Sequence, residues 1–280
     1  MLPESNIVNR VGVLIPFRNS DKYFKECLDS LAGETLISEI ILVDNGSGDK
    51  GTEIARAASL KDSRIKILSE PKEGISHALN RGLLESSCDF VARIDADDEL
   101  IPGRITEQMD FLIKNPEYVV VCSNVMLIDS FGKPIRSTGN EEFKTLKLKD
   151  FGFRNPIPHP SVMYRLESVR NIGLYNISAL GAEDLDLWFK LIKLGKIGKL
   201  GKVLTKYRIH DDQISRNHSL GELTVRINMR RELKMNRERY VEFREFRIRN
   251  DLRIFWILVS RLRGIRPFTN LVESFFGQYK

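Results

Sequence analysis

The sequence has only three cysteines, Cys27, Cys88 and Cys122, far apart and without a CxxC pair. That pattern excludes a disulfide framework and a cysteine-built zinc site, and it suits free thiols in a reducing compartment. No apolar run reaches the roughly 20 residues needed to span a bilayer; Ile254 to Val259 stops at six. Met1 to Ser5 lacks the basic-then-apolar start of a secretory signal, so the cytoplasm is the expected location. There is no glycine- or proline-rich tract and no internal repeat. What remains, 42% hydrophobic and 29% charged residues over 280 positions, is enough for a sizeable core plus an appendage.

The first half alternates apolar runs with amphipathic stretches. Strands are expected at Val11 to Ile15, Glu39 to Val43, Arg64 to Leu68, Phe90 to Ile94 and Val119 to Val125. Helices are expected at Asp21 to Leu31, Thr52 to Ser59 (with Thr52 near its cap), Ile75 to Leu84 and Ile105 to Ile113. This alternation implies βαβ crossovers and a mainly parallel sheet covered on both faces, an α/β fold. Beyond residue 126 the alternation weakens. A hairpin turn at Asp129 to Gly132, a short helix from Phe143 to Asp150 and a proline-stiffened loop from Asn155 to Pro160 are expected there. A strand at Ser161 to Tyr164, helices at Leu166 to Ile172 and Asp184 to Leu194, and a last strand from Val203 to Ile209 follow.

Ligands of such sheets bind at the carboxyl ends of the strands. Pro16-Phe17-Arg18-Asn19, Asp44-Asn45-Gly46-Ser47 and Asp95-Ala96-Asp97-Asp98 all fall there. Alone, the DxDD run reads as a solvated turn before a helix. Three acids in four positions nevertheless repel one another unless a cation or solvent relieves them, and oxygen-only ligation suits Mg²⁺ or Mn²⁺ beside a phosphate. Asp44 to Ser47 is equally a tight turn or a loop approaching a nucleotide. Glu73 to Gly82 opens a helix whose N-terminus suits a diphosphate, or it is an ordinary amphipathic helix. Glu183 and Asp184 in a first helical turn are either dipole-stabilising acids or a general base with its neighbour. His159 and His210 are single histidines, more often structural than ligating.

Taken in order, these pieces resemble the inverting glycosyltransferases of the family-2 type, which have the GT-A fold. The likeness runs from Val13 to Asn19, through Ile40 to Ser47 with Asp49 and Thr52, Gly74 to Gly82, and Phe90 to Asp98. It continues through Asn155 to Ser161, Ala182 to Trp188 and Tyr207 to His210 with Gln213 to Ser215, covering roughly residues 8 to 216. The resemblance implies the GT-A (nucleotide-diphospho-sugar transferase) fold as a catalytic domain over 1–218, followed by a basic helical extension over 219–280. It implies that Pro16, Phe17, Asn19, Asp44, Asn80 and Asp95 bind the nucleotide sugar. Asp97 and His210 would hold Mn²⁺ or Mg²⁺, with Asp98 the less defined member of the DxD motif. Asp184 stands as catalytic base with Glu183 beside it. Asn45 departs from a frequently acidic second position, which leaves base recognition to Asp44.

The implied reaction moves a sugar from a nucleotide-diphosphate donor, a UDP-sugar foremost, to a hydroxyl of a glycan or lipid-linked acceptor in surface polysaccharide synthesis. A sugar-phosphate nucleotidyltransferase is the rival of the same fold, disfavoured because no Gly-rich basic loop follows the first strand. The net charge of +6 lies largely beyond residue 225, from Arg226 to Arg266. There Ile248, Leu252, Phe255, Val259 and Leu262 form an apolar stripe among arginines. Residues 222–266 are accordingly expected either to touch an anionic membrane from the cytoplasmic side or to pack on the catalytic domain or a second copy of the chain. Binding of nucleic acid is not expected, because the basic tail lacks interleaved aromatics and a recognisable binding module.

Overall fold

In a computed structural model the chain is described over residues 9–139, 142–211, 219–235, 248–255 and 257. Apolar runs buried on both faces become the centre of a sheet. Strands β1 (Val11–Phe17), β2 (Ile37–Asp44), β3 (Ile65–Ser69) and β4 (Phe90–Arg93) lie parallel in the order β3-β2-β1-β4. Alternation divides β1 between two cores. Leu14 packs with Ile41 and Val43 on one face, while Val11, Val13, Ile15 and Phe17 pack with Ile40 and Leu42 on the other.

Helices α1 (Phe24–Asp29), α2 (Gly51–Ser59), α3 (Ile75–Glu85) and α4 (Arg104–Lys114) connect or flank these strands, with the two-residue β5 (Glu99–Leu100) before α4. Helix α3 reaches the sheet through Gly82, where a Cβ would stand only 2.2 Å from Leu14 Cδ1. Helix α2 starts one residue earlier than expected. Thr52 does not cap it, since its hydroxyl donates to Asp44 Oδ2 at 2.7 Å.

The second half completes the sheet differently from a simple βαβ series. The long β6 (Tyr118–Ile128) does not pair with β4; the short β9 (Met163–Arg165) lies between them, antiparallel to both. The last strand, β10 (Lys196–Arg208), runs parallel to β6, and β7 (Pro134–Ser137) forms the expected hairpin with β6. Two expectations need correction here. Phe143 to Asp150 is not one helix: β8 (Phe143–Leu146) pairs antiparallel with Ile197 to Leu200, and only Leu148–Phe151 turns, as a 3₁₀ helix. The open edge of β10 supplies hydrogen bonds that a four-residue segment cannot match within itself. For the same reason β10 begins at Lys196 rather than Val203, despite the glycines at 195, 198 and 201.

Helices α5 (Leu166–Asn171), α6 (Glu183–Leu194) and α7 (Ser219–Met235) follow. Val225 and Met229 of α7 enter the same buried cluster as Leu185 and Trp188 of α6. A further helical stretch covers 248–255. No described helix is long and apolar enough to cross a membrane.

One arginine staples the two halves together. Arg104, fully buried, donates to the carbonyls of Arg93, Pro160 and Val162, to Thr205 Oγ1 and to Gln108 Oε1 over 2.7–3.0 Å. All these acceptors are neutral, and burial, with Arg93 adding to it, pushes its pKa down to about 9. Replacement by methionine keeps the volume but strands the carbonyls that it satisfies. Arg104→Met is expected to lower stability by about 3–5 kcal/mol, read as a lower urea midpoint at unchanged m. A loss below about 1 kcal/mol would remove the staple from this account.

Candidate active site

Register fixes which strand ends meet. Phe17 lies opposite Asp44 and Leu14 opposite Arg93, so the segments after β1, β2 and β4 leave the sheet side by side. Asp95, Asp97 and Asp98 follow β4, and one ligand oxygen from each falls within 4.8 Å of the others. This is the one group of three or more such side chains among the described residues with metal-binding spacing.

Each acid has a distinct partner. Asp95 is gripped by both terminal nitrogens of Arg93, with Nη1 donating to Oδ2 at 2.5 Å. Asp97 Oδ2 lies 2.9 Å from His210 Nε2, and the His210 ring stacks 5.1 Å from Tyr23. Asp98 is buried; its Oδ1 accepts the Arg208 backbone N–H at 2.8 Å, while its Oδ2 has no partner. The Arg208 side chain donates to the Asp97 carbonyl and reaches Glu26 and Glu99, anchoring the end of β10 to the acidic turn. Burial raises the Asp98 carboxyl well above its usual range, and the charges of Asp97 and Asp95 raise it further. Desolvation, opposed by Arg93 and reinforced by Asp97, pushes Asp95 up to about 6.

Glu183 and Asp184 open α6 at the same end of the sheet. Asp184 Oδ2 accepts from Asn155 Nδ2 at 2.6 Å, and Oδ1 accepts from the Leu185 N–H. Burial and the neighbouring Glu183 charge push Asp184 up to about 7. Glu183 is buried with one carboxylate oxygen unpartnered, and its charge also reaches Asp95. The two acidic centres therefore share one electrostatic field, with Arg93 acting on both.

The remaining expected residues divide into loop braces and core. Asp44 accepts from the Ser47 N–H (2.9 Å) and the Thr52 hydroxyl (2.7 Å), holding its loop as a ring. Asn19, in the left-handed region at φ 49°, joins that loop to the end of β1: its Oδ1 accepts from the Gly48 N–H, and its own N–H donates to Ser47 Oγ. Pro16 and Phe17 are buried. The Phe17 ring packs on Phe24 at 4.7 Å, so its side chain faces the core and not the crevice. Asn80 exchanges two hydrogen bonds with the Tyr175 backbone, which ties α3 to the loop before α6. His159 is structural: its Nε2 pairs with the Tyr175 hydroxyl at 2.8 Å, and burial drives its pKa well below the usual value.

Three contributors escaped the sequence reading: Arg93, Arg208 and, as a partner for Asp184, Asn155. Arg93 had a signal. It is the lone charge in Phe90 to Ile94 and stands two residues before Asp95, a spacing that puts two strand residues on one face. Asn45 also finds its reason. Its Nδ2 donates to the carbonyls of Glu70 and Lys72, and its Oδ1 accepts from the Gly74 N–H. An aspartate has no donors for those carbonyls. Gln213 to Ser215, Val259 and Leu262 lie outside the described residues.

The raised carboxyls carry a sign for stability. A carboxyl whose folded pKa exceeds its unfolded value binds protons more tightly in the native state, so its contribution is full below the unfolded pKa of 3.8 and is lost as pH rises through the folded value. Asp95, Asp98 and Asp184 all act in this direction. Metal-free protein is therefore expected to lose stability as pH rises from about 5 to about 8, with Asp184→Asn giving a flatter profile. Urea unfolding at the two pH values checks this; equal slopes for the two proteins would contradict the assignment.

Residues 12–173 match the family described as Glycosyl transferase family 2. The amylovoran biosynthesis glycosyltransferase AmsE of Erwinia amylovora is 30% identical over 232 residues, which cover 79% of this chain and 84% of AmsE. Some curated relatives are much longer: the chain spans about a third of an uncharacterized glycosyltransferase of Rickettsia conorii, with 27% identity over 215 residues, 75% of this chain and 35% of that relative. S. aureus TarS residues 1–349 in complex with UDP-GlcNAc superpose with a TM-score of 0.65 at 15% identity, covering 91% of this chain and 92% of that one. The mannosyltransferase PcManGT of Pyrobaculum calidifontis, in complex with GDP-Man and Mn²⁺, does so at 0.61 and 15%, covering 95% and 79%. With this α/β sheet, the GT-A arrangement of those neighbours, and a family match over more than half its length, the chain belongs to glycosyl transferase family 2 and is a glycosyltransferase.

Proposed function

We propose that this chain is a metal-dependent inverting hexosyltransferase. It takes a sugar from a nucleotide-diphosphate donor, a UDP-sugar first among candidates, and delivers it to a hydroxyl of a glycan or lipid-linked acceptor in polysaccharide assembly. The observation that carries this reading is Asp184, held by Asn155 and raised to about 7, at the same strand ends as the Asp95-Asp97-Asp98 cluster. The role of AmsE in amylovoran biosynthesis supports the polysaccharide setting, and the TarS complex supports the UDP-sugar.

A carboxylate poised near neutral pH suits a general base. The Asp184 oxygen takes the proton of the acceptor hydroxyl as that oxygen forms its bond to the anomeric carbon. The bond from that carbon to the diphosphate oxygen breaks, and its electron pair leaves with the diphosphate. One displacement inverts the centre, so an α-linked donor yields a β-linked product. Asn155 orients Asp184 through its amide N–H. The Asp44 loop, closed by Thr52, Ser47 and Asn19, forms a rigid wall for the nucleotide base.

The acidic cluster fits a hard divalent cation. It is rich in oxygen, the charges of Asp97 and Asp95 help raise the Asp98 carboxyl, and buried Asp98 Oδ2 lacks a partner. Asp97, with Asp95 and His210 adjoining, would hold Mn²⁺ or Mg²⁺, which would offset the charge of the departing diphosphate. The Mn²⁺ bound by PcManGT supports that choice of ion.

The extension keeps an exposed apolar stripe, Ile248, Leu252 and Phe255, beside exposed Arg249. Its opposite side is buried through Asn250 and Ile257. The stripe suits shallow contact with an anionic membrane bearing a lipid-linked acceptor. Flotation with anionic liposomes is expected to recover wild type and to lose an Ile248→Ser/Leu252→Ser/Phe255→Ser variant. Equal recovery of the two removes the membrane from the proposal.

The catalytic assignment is tested by separate variants. Asp184→Asn is expected to lose transfer by about 10³-fold or more while keeping metal-dependent UDP binding. Asp97→Ala is expected to weaken UDP binding in the presence of metal. Near-normal transfer by Asp184→Asn overturns the base assignment.

A further inference from the structure

Arg226 of α7 belongs to the basic tail by sequence, yet its side chain is 0% exposed. Its guanidinium is spent inside the protein. Nη1 donates to the carbonyls of Phe151 (3.0 Å) and Gly152 (2.9 Å) and to Asn250 Oδ1 (3.1 Å). Nη2 donates to the Phe153 carbonyl (3.2 Å) and Nε to Glu222 Oε1 (2.8 Å). Asn250 returns a bond to the Arg226 carbonyl, and Arg253 pairs with both oxygens of Glu222. A planar fork with five N–H donors can hold three successive carbonyls; an ammonium on a flexible stem cannot.

The captured segment leads straight to the site. Two residues beyond Phe153, Asn155 donates to Asp184. The 3₁₀ turn before it has its own closure, since the Lys147 N–H donates to Asp150 Oδ2 and Leu148 and Phe151 are buried. The clamp thus adds order chiefly to residues 152–155. The same helix also reaches the other side of Asp184. Val225 and Met229 share a core with Leu185 and Trp188, and the backbone at Gly221 lies so close to the Leu180 carbonyl that a Cβ there would stand 1.6 Å from its oxygen. Leu180 is three residues before Glu183.

We propose that Arg226 is a positioning residue for sugar transfer: by holding the carbonyls of residues 151–153 it sets Asn155 against Asp184, so the C-terminal helices complete the acceptor side of the site. This rests on Asp184 being the base. It differs from a membrane or partner role for the tail, because the contacts face inward, onto the segment that leads to Asn155 and Asp184.

A double-mutant cycle in the full chain tests it, using Arg226→Met, Asn155→Ala and the pair, with kcat, donor KM and UDP affinity measured for each. Either single change is expected to lower kcat about ten- to a hundred-fold and to leave donor KM and UDP affinity within about two-fold. The double variant is expected to be no slower than Asn155→Ala, because the two act in series. Arg226→Lys, keeping charge without the fork, is expected to fall between wild type and Arg226→Met, and it carries the cycle if the methionine variant does not fold. Unchanged kcat in Arg226→Met, additive losses, or failure of both Arg226 variants to fold each overturns the positioning role. Asp184→Asn separates the two claims. If it retains transfer, the base assignment fails; if it abolishes transfer while Arg226→Met is fully active, only the positioning claim fails.

Discussion

Five carboxylates, Asp95, Asp97, Asp98, Glu183 and Asp184, crowd one end of the sheet, and Arg93 is the cation that grips any of them with a guanidinium fork among the described side-chain bonds. Their mutual repulsion in a partly desolvated crevice organises much else in the molecule. It requires rigid supports, because a carboxylate free to turn would move to solvent. The supports are the Arg208 N–H on Asp98, His210 on Asp97, Arg93 on Asp95 and Asn155 on Asp184. It also leaves unspent negative potential, which folding alone does not neutralise and a divalent cation would.

Holding those supports still falls to buried arginines. Arg104 joins β4, the loop before β9, β10 and α4 through neutral oxygens. Arg208 fastens the end of β10 to the acidic turn, and Arg226 ties the C-terminal helices to the segment that carries Asn155. In each case the fork reaches carbonyls in irregular backbone, such as Pro160, Asp97 and Gly152.

This division explains what was legible in the sequence. Strands β1, β2 and β4 declared themselves because both faces are largely buried, and the motifs at their ends were visible because polar residues interrupt apolar runs there. The insertion of β9 between β4 and β6, and the pairing of β8 with β10, depend on long-range edges that no local pattern encodes. Phe143 to Leu146 carries too few residues to show its period. Of the site, the acids and His210 beside Asp97 could be read, but not Arg93, Arg208 or Asn155 as partners of the others. Arg226 looks like a surface charge until the fold buries it, and Asn45 looks like a weakened motif until its three bonds show that only an amide fits. Phe17 ran the other way: the resemblance placed it among the nucleotide-sugar-binding residues, whereas its ring packs on Phe24 in the core.

The idea at the centre of this account, that the strand-end carboxylates form a charge-frustrated site awaiting a cation and a diphosphate, is open to one direct measurement. Thermal melting of the wild-type protein would be followed at about pH 8 without additions, with Mn²⁺, and with Mn²⁺ plus UDP. A higher melting temperature is expected with Mn²⁺, a further rise with UDP, and little effect of UDP without the metal. A melting temperature indifferent to Mn²⁺, or a UDP shift of the same size in its absence, would contradict it.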